Sequence, residues 1–132
     1  GNLEGLKPVF AKKVLAAIEA TKHNDKLILN IAFNYGGRAE IVEAVKKIFA
    51  KGIKPEAITE EIIGENLFTA GLPDPDLIIR TSGEMRVSNF LIWQGAYSEY
   101  YLAPVYWPDF DKEQMRLALE TYAQRHRRFG GL

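Results

Sequence analysis

The sequence predicts an α/β protein, a partial parallel sheet flanked by helices. Three observations predict it. Apolar runs too continuous for half-exposed strands alternate with segments of helical periodicity. Two of those runs pass directly into turns that carry glycine and arginine, at residues 34–38 and 80–88. No internal repeat, low-complexity tract or obvious linker breaks the alternation, and strands that alternate with helices make parallel sheets.

Residues 7–22 read as an amphipathic helix, with Pro8 suited to its first turn and Val9, Val14, Leu15 and Ile18 near helical spacing. Residues 26–33 (KLILNIAF) read as a strand buried on both faces. The turn at 34–38 leads to a second amphipathic helix over 39–51, which Gly52 ends. A shorter helix over 59–66 has Thr59 as its cap, and 67–75 is rich in turn residues. Leu77, Ile78 and Ile79 form the core of a second short strand. A helix is expected from Phe90 with Ser88 as N-cap, then a third strand over 100–106. Asp109 or Asp111 caps a last helix running through Arg128. Two or three parallel strands leave long unpaired edges, so the sequence reads as part of a domain: residues 1–132 as one incomplete unit.

Composition narrows the function classes. The 132 residues suit one domain, and 47% hydrophobic content suits a globular core. Seventeen basic and seventeen acidic residues cancel, which argues against a nucleic-acid partner. Without cysteine there is no disulfide scaffold, thiolate metal site or cysteine nucleophile. No apolar run approaches the roughly 18 residues of a membrane span, and the expected location is cytoplasmic, with room for peripheral docking at a membrane.

The segment at 76–90 (DLIIRTSGEMRVSNF) is the strongest candidate site. A helix N-terminus presents unpaired N–H groups and the positive end of its dipole to an anion. Arg80 and Arg86 add forked donors that match phosphate oxygens. Arg38, at the other strand end, could face the same crevice, since ligands bind at the carboxyl ends of parallel strands. The competing reading makes these arginines surface partners of Glu40 or Glu84. Asp74, Asp76, Asp109 and Asp111 read as turn and cap residues. Glu99 lies in an aromatic stretch, where a carboxylate is costly unless paired or bound to a cation. His23 and His126 read as surface residues, and the aromatic set from Trp93 to Trp107 as core or dimer interface.

The segments NIAFNYGGRAEI (30–41), DPDLIIRTSGEMRVSNFLIWQGAYSEYY (74–101), WPDF (107–110) and RRFGG (127–131) resemble the cis-prenyltransferases, or isoprenyl transferases. The bacterial undecaprenyl diphosphate synthases are the most similar type. The resemblance implies a Mg²⁺-dependent transferase that adds isopentenyl diphosphate to an allylic diphosphate, making cis double bonds, and a homodimer. By the same resemblance Arg80, Arg86, Val87 and Ser88 bind the diphosphate of isopentenyl diphosphate. Arg128 and Gly130 belong to a tail that reaches the partner subunit's site, Leu27 lies toward the far end of the product tunnel, and Glu99 is a Mg²⁺ ligand. Two departures stand out. The family's opening half, with its first strand and its His-x-Met-Asp-Gly-Asn-x-Arg-Trp segment, has no counterpart here, so the essential aspartate is absent and the chain alone is expected to be inactive. Met85 stands where many members carry Gln or His.

A straight helix over 89–99 would place Glu99 ~16 Å along the axis from Ser88 at ~1.5 Å per residue, too far for one diphosphate. The expectation is an early end near Gly95, which weakens a helix interior. A non-catalytic partner subunit, or a module that only binds isopentenyl diphosphate, is the alternative to the enzyme reading.

Overall fold

The computed structural model describes residues 1–125. Helix α1 (Pro8–Thr21) opens on Pro8, whose missing N–H costs nothing in a first turn. It matches the expected helix to within a residue at each end, but no residue of it is buried. Phe10 meets Phe33 with ring centroids 5.2 Å apart, while Val9, Leu15 and Ile18 stay exposed.

Residues 26–33 depart most from expectation. They form no strand, and Leu27, Ile28, Leu29 and Ile31 are 70% or more exposed. The apolar run states a demand for burial, but a strand exists only through ladder bonds to a neighbour. Among the described residues nothing pairs with this segment.

The turn that follows behaves as expected. Helix α2 (Gly37–Ala50) buries Glu40, Ala44 and Ile48 along one face, the i, i+4, i+8 stripe of an amphipathic helix. It ends at Lys51, and Gly52 follows at φ 69°, as a glycine after a helix end should. Helix α3 (Glu60–Gly64) is shorter than expected and packs on α2. Its cap is Thr59, whose side-chain oxygen accepts the Ile62 N–H at 3.3 Å. Leu67, Ala44 and Ile48 are core residues here. Lys47 and Lys51 extend across the joint to the carbonyl and side-chain oxygens of Asn66.

Strands β1 (Leu77–Arg80) and β2 (Glu99–Leu102) pair in parallel, with Leu77 opposite Glu99 and Arg80 opposite Leu102. Parallel pairing was expected; β2 starts one residue earlier and stops sooner than the anticipated 100–106. Between the strands, the α-helix expected from Phe90 is not formed, and Ser88 is not an N-cap. Ser88, Asn89 and Leu91 stand at φ 49°, 63° and 44°, and left-handed residues cannot start a right-handed helix. A single 3₁₀ turn (Gln94–Tyr97) is all that forms before the chain turns back into β2. The reversal near Gly95 is therefore real. A Cβ at Gly95 would sit 3.0 Å from Ile78 Cδ1, so the glycine lets this turn rest on β1.

Helix α4 (Lys112–Ala123) packs on β2 and is capped by Asp111, which accepts the Gln114 N–H at 3.0 Å. It ends short of the expected Arg128. Tyr97, Tyr106 and Trp107 are largely exposed, so these members of the aromatic set are not core; Trp107 instead stacks on Phe110 with centroids 6.0 Å apart.

Candidate functional site

The strand end at Arg80 is the base of the site. Ala103 donates its N–H to the Arg80 carbonyl at 2.7 Å, and the turn after it is sewn to the chain beyond β2. Ser82 N–H reaches the Val105 carbonyl at 2.7 Å, and Gly83 N–H the Ala103 carbonyl at 2.8 Å. Ser82 and Gly83 take φ 72° and 63° to make this turn. Their amides are thus committed. So are those further on: Phe90 N–H goes to the Val87 carbonyl at 3.0 Å, and Leu91 N–H to the Tyr35 hydroxyl at 3.2 Å. The expected cradle of free helix-terminal N–H groups does not exist.

The arginines remain. Arg80 and Arg86 both bind Glu84, one to each carboxylate oxygen. Arg80 Nε is buried without a hydrogen-bond partner, an unused donor on the same guanidinium. The Arg80 hydrogen bond first, and the Arg86 charge beside it, hold the Glu84 carboxyl below its ordinary pKa of 4.5. The forked donors of both guanidinium groups are thus turned toward one pair of carboxylate oxygens. Val87 and Ser88 follow Arg86 and are exposed. Met85 is 89% exposed. The arginine–Glu84 pairing weighed at the sequence level is present; the arginine–Glu40 pairing is not.

Glu40 has a different role. It is 1% exposed, and among the described residues its side-chain hydrogen-bond donors are all neutral. Tyr35 donates its hydroxyl to Oε2 at 2.5 Å, and the Phe68 N–H reaches Oε1 at 2.7 Å. Gln94 Nε2 lies 3.2 and 3.1 Å from the two oxygens, and 2.9 Å from Thr69 Oγ1. Burial, and then the bond to Glu40, push the Tyr35 hydroxyl above its usual value of 10. This network ties the turn at 34–38, helix α2, the 66–72 segment and the 3₁₀ turn to one another. Sequence reasoning missed it, because an acidic residue in a first helical turn normally faces water.

Arg38 does not join Arg80 and Arg86 at Glu84; it lines a separate open concavity of about 300 Å³ with Asn89 and Ile92. Glu99 is half-buried at the start of β2 and ion-paired with Arg125, which follows α4. Leu27 is 79% exposed. An apolar cavity of about 180 Å³ is bounded by residues such as Ala32, Phe68, Leu72 and Phe90, not by Leu27. Arg128 and Gly130 lie outside the described residues. Among the described residues, no three His, Cys, Asp or Glu gather into a metal cluster. No described helix is long and apolar enough to cross a membrane.

Residues 1–130 match the family described as "Putative undecaprenyl diphosphate synthase". The chain belongs to this isoprenyl transferase family. It is 58% identical over 132 residues to an isoprenyl transferase of Fusobacterium nucleatum subsp. nucleatum, covering 100% of this chain and 56% of that protein. It is 57% identical over 124 residues to an isoprenyl transferase of Streptococcus thermophilus, covering 88% of this chain and 50% of the relative. Among solved structures it resembles lavandulyl diphosphate synthase from Lavandula x intermedia in complex with dimethylallyl diphosphate. The TM-score is 0.90 at 36% identity, over 99% of this chain and 58% of the other. The cis-prenyltransferase fold expected from the sequence is therefore the fold found, and the chain spans about half the length of the curated relatives it matches.

Proposed function

We propose that this chain carries the isopentenyl-diphosphate half-site of a cis-prenyltransferase, with Arg80, Arg86, Val87 and Ser88 as the binding segment. The convergence of Arg80 and Arg86 on the Glu84 carboxylate carries this reading. A diphosphate presents the same kind of oxygen pair as that carboxylate, with more charge, and would take over the forked donors. Because the amides of Ser82, Gly83, Phe90 and Leu91 are already committed, recognition rests on guanidinium groups rather than on a helix dipole. The solved lavandulyl diphosphate synthase complex holds dimethylallyl diphosphate, which supports a diphosphate as the class of ligand.

In the reaction of the whole enzyme, the allylic carbon–oxygen bond breaks and diphosphate leaves with the electron pair. The terminal alkene carbon of isopentenyl diphosphate forms the new carbon–carbon bond, and a proton is lost to give the cis alkene. This chain's part is to hold and orient the nucleophilic substrate. Magnesium does not fit as an ion held by the described residues alone, since Glu99 is a single carboxylate already paired with Arg125. Magnesium commonly takes one or two carboxylates plus substrate phosphates, and Glu99 is proposed as one such ligand once released from Arg125. Arg128 and Gly130 are proposed to serve the partner subunit's site in a homodimer, and Leu27 the product tunnel. We place the working protein in the cytoplasm, docking peripherally at membranes.

Calorimetry with isopentenyl diphosphate tests the reading. Binding is expected for the 132-residue chain and loss of heat for Arg86→Ala. Turnover with farnesyl and labelled isopentenyl diphosphate is expected to give no polyprenyl product from this chain alone. Heat that survives Arg86→Ala unchanged would remove the half-site, and clear polyprenyl product would overturn the expected inactivity.

A further inference from the structure

Helix α2 begins without a side-chain cap of its own, because its N-cap is Gly36. A helix start leaves N–H groups that need partners. Two of them go to Asn89, more than fifty residues along the chain. Gly37 N–H donates to the Asn89 carbonyl at 2.7 Å, and Arg38 N–H to Asn89 Oδ1 at 2.9 Å. The approach is close at both glycines, against a side-chain end at Gly36 and against backbone as well at Gly37. A Cβ on Gly36 would lie 2.7 Å from Asn89 Nδ2, and one on Gly37 would lie 2.7 Å from Ile92 Cγ1.

The other side of this contact is under strain. Ser88, Asn89 and Leu91 are all left-handed without being glycine, a state that persists only where the surroundings over-determine it. Two ties do so: Asn89 on the start of α2, and the Leu91 N–H on the Tyr35 hydroxyl. Both reach back to the turn at 34–38. Asn89 is the residue next to Ser88 and three from Arg86, so the tie fixes the far end of the anion-binding segment.

We propose that Asn89 is a positioning residue for diphosphate binding, latching the Arg86–Ser88 segment to the N-terminus of α2; this rests on the half-site reading above. By reciprocity, a ligand that favours the latched segment also strengthens the latch. Bound diphosphate therefore slows hydrogen exchange at the Arg38 amide.

The test is calorimetry with isopentenyl diphosphate on the wild-type chain, Asn89→Gly and Gly36→Ala, with thermal unfolding and Arg38 amide exchange measured on each. Asn89→Gly keeps the carbonyl and tolerates the positive φ, so it removes the side-chain tie but also frees the backbone, an effect that Gly36→Ala does not share. Gly36→Ala leaves position 89 intact and pushes its side chain away. Both are expected to weaken binding about tenfold, to speed Arg38 exchange, and to leave the unfolding midpoint within about 3 °C of wild type. Should Asn89→Gly fail to fold, Gly36→Ala decides. Wild-type affinity in the folded variants, or weaker binding only in step with a fallen midpoint, overturns the proposal and leaves the half-site standing. No binding by the wild-type chain means that the half-site reading itself has failed, and the latch with it.

Discussion

The two turns at 34–38 and 80–88 share one sequence plan, yet they are opposites in structure. The first is a closed joint. Its glycines allow close approach, its tyrosine bonds a buried carboxylate, and its helix start is finished by Asn89. The second is an open clamp, where positive-φ Ser82 and Gly83 turn the chain and two arginines meet on one half-buried carboxylate. In the first, glycine is chosen for contact; in the second, for conformation. Motif resemblance alone could not separate them. What separates them is how closely the second segment approaches: a Cβ on Gly36 or Gly37 would meet an atom at 2.7 Å, one on Gly83 only Pro104 Cα at 4.0 Å.

The largest expected effect lies at the closed joint. Glu40→Ala strands the Tyr35 hydroxyl and the Phe68 N–H at once, and leaves Gln94 Nε2 with Thr69 Oγ1 as its remaining partner. Leaving buried donors unpaired costs about 1–3 kcal/mol each when nothing relaxes, and a loss of about 3 kcal/mol is expected in urea unfolding. Glu40→Gln keeps the shape and one acceptor oxygen, and should recover more than half. A loss below about 1 kcal/mol for Glu40→Ala would mean that the network is incidental to the joint.

Glycine substitutions sharpen the contrast. Gly37→Ala drives a methyl to within 2.7 Å of Ile92 Cγ1 and 3.2 Å of the Asn89 carbonyl, an overpacking expected to cost about 1–3 kcal/mol. At Gly83 the nearest atom to a new Cβ is Pro104 Cα at 4.0 Å, so only the φ of 63° opposes a side chain. Gly83→Ala should cost about 1 kcal/mol, and Gly83→Asn less, since asparagine tolerates the left-handed region. Asparagine at Gly37 should give no such recovery. Equal behaviour of asparagine at the two sites in thermal unfolding would erase the distinction drawn between the turns.

The same contrast explains what could be read from the sequence. Local signals held: α1 and α2 fall where periodicity put them, Thr59 and Asp111 cap the helices they precede, and Leu77 to Ile79 lie in a parallel strand. Those features depend on residues within a turn or two. The larger misses depend on distant partners. Residues 26–33 carry the composition of a strand, but pairing is supplied by a neighbour, and none is present among the described residues. The helix expected from Phe90 was lost to three left-handed residues whose conformation is imposed by Tyr35 and the start of α2. The pairing of Arg80 and Arg86 with Glu84 was legible, because arginines and a glutamate around one glycine turn are a local pattern. Glu40 was not, because nothing near it in sequence says that it is buried.

The smallest effect, and the finest probe of the open clamp, is the titration of Glu84. Its carboxyl titrates below 4.5 because of the Arg80 hydrogen bond first and the Arg86 charge after it. A depressed carboxyl contributes stability that is present above its unfolded value and lost as pH falls through the folded one, so the window lies below pH 4.5. The pair is open to water, where such contributions are small, and the position of the titration is more telling than the stability. Followed by NMR, the Glu84 carboxyl should move toward 4.5 further in Arg80→Ala than in Arg86→Ala. The reverse order would make Arg86 the anchor of the carboxylate. Adding isopentenyl diphosphate to the wild-type chain should move it the same way, because a ligand that takes the guanidinium groups must release the carboxylate they hold. A Glu84 titration untouched by a ligand that demonstrably binds would place that ligand elsewhere than on Arg80 and Arg86.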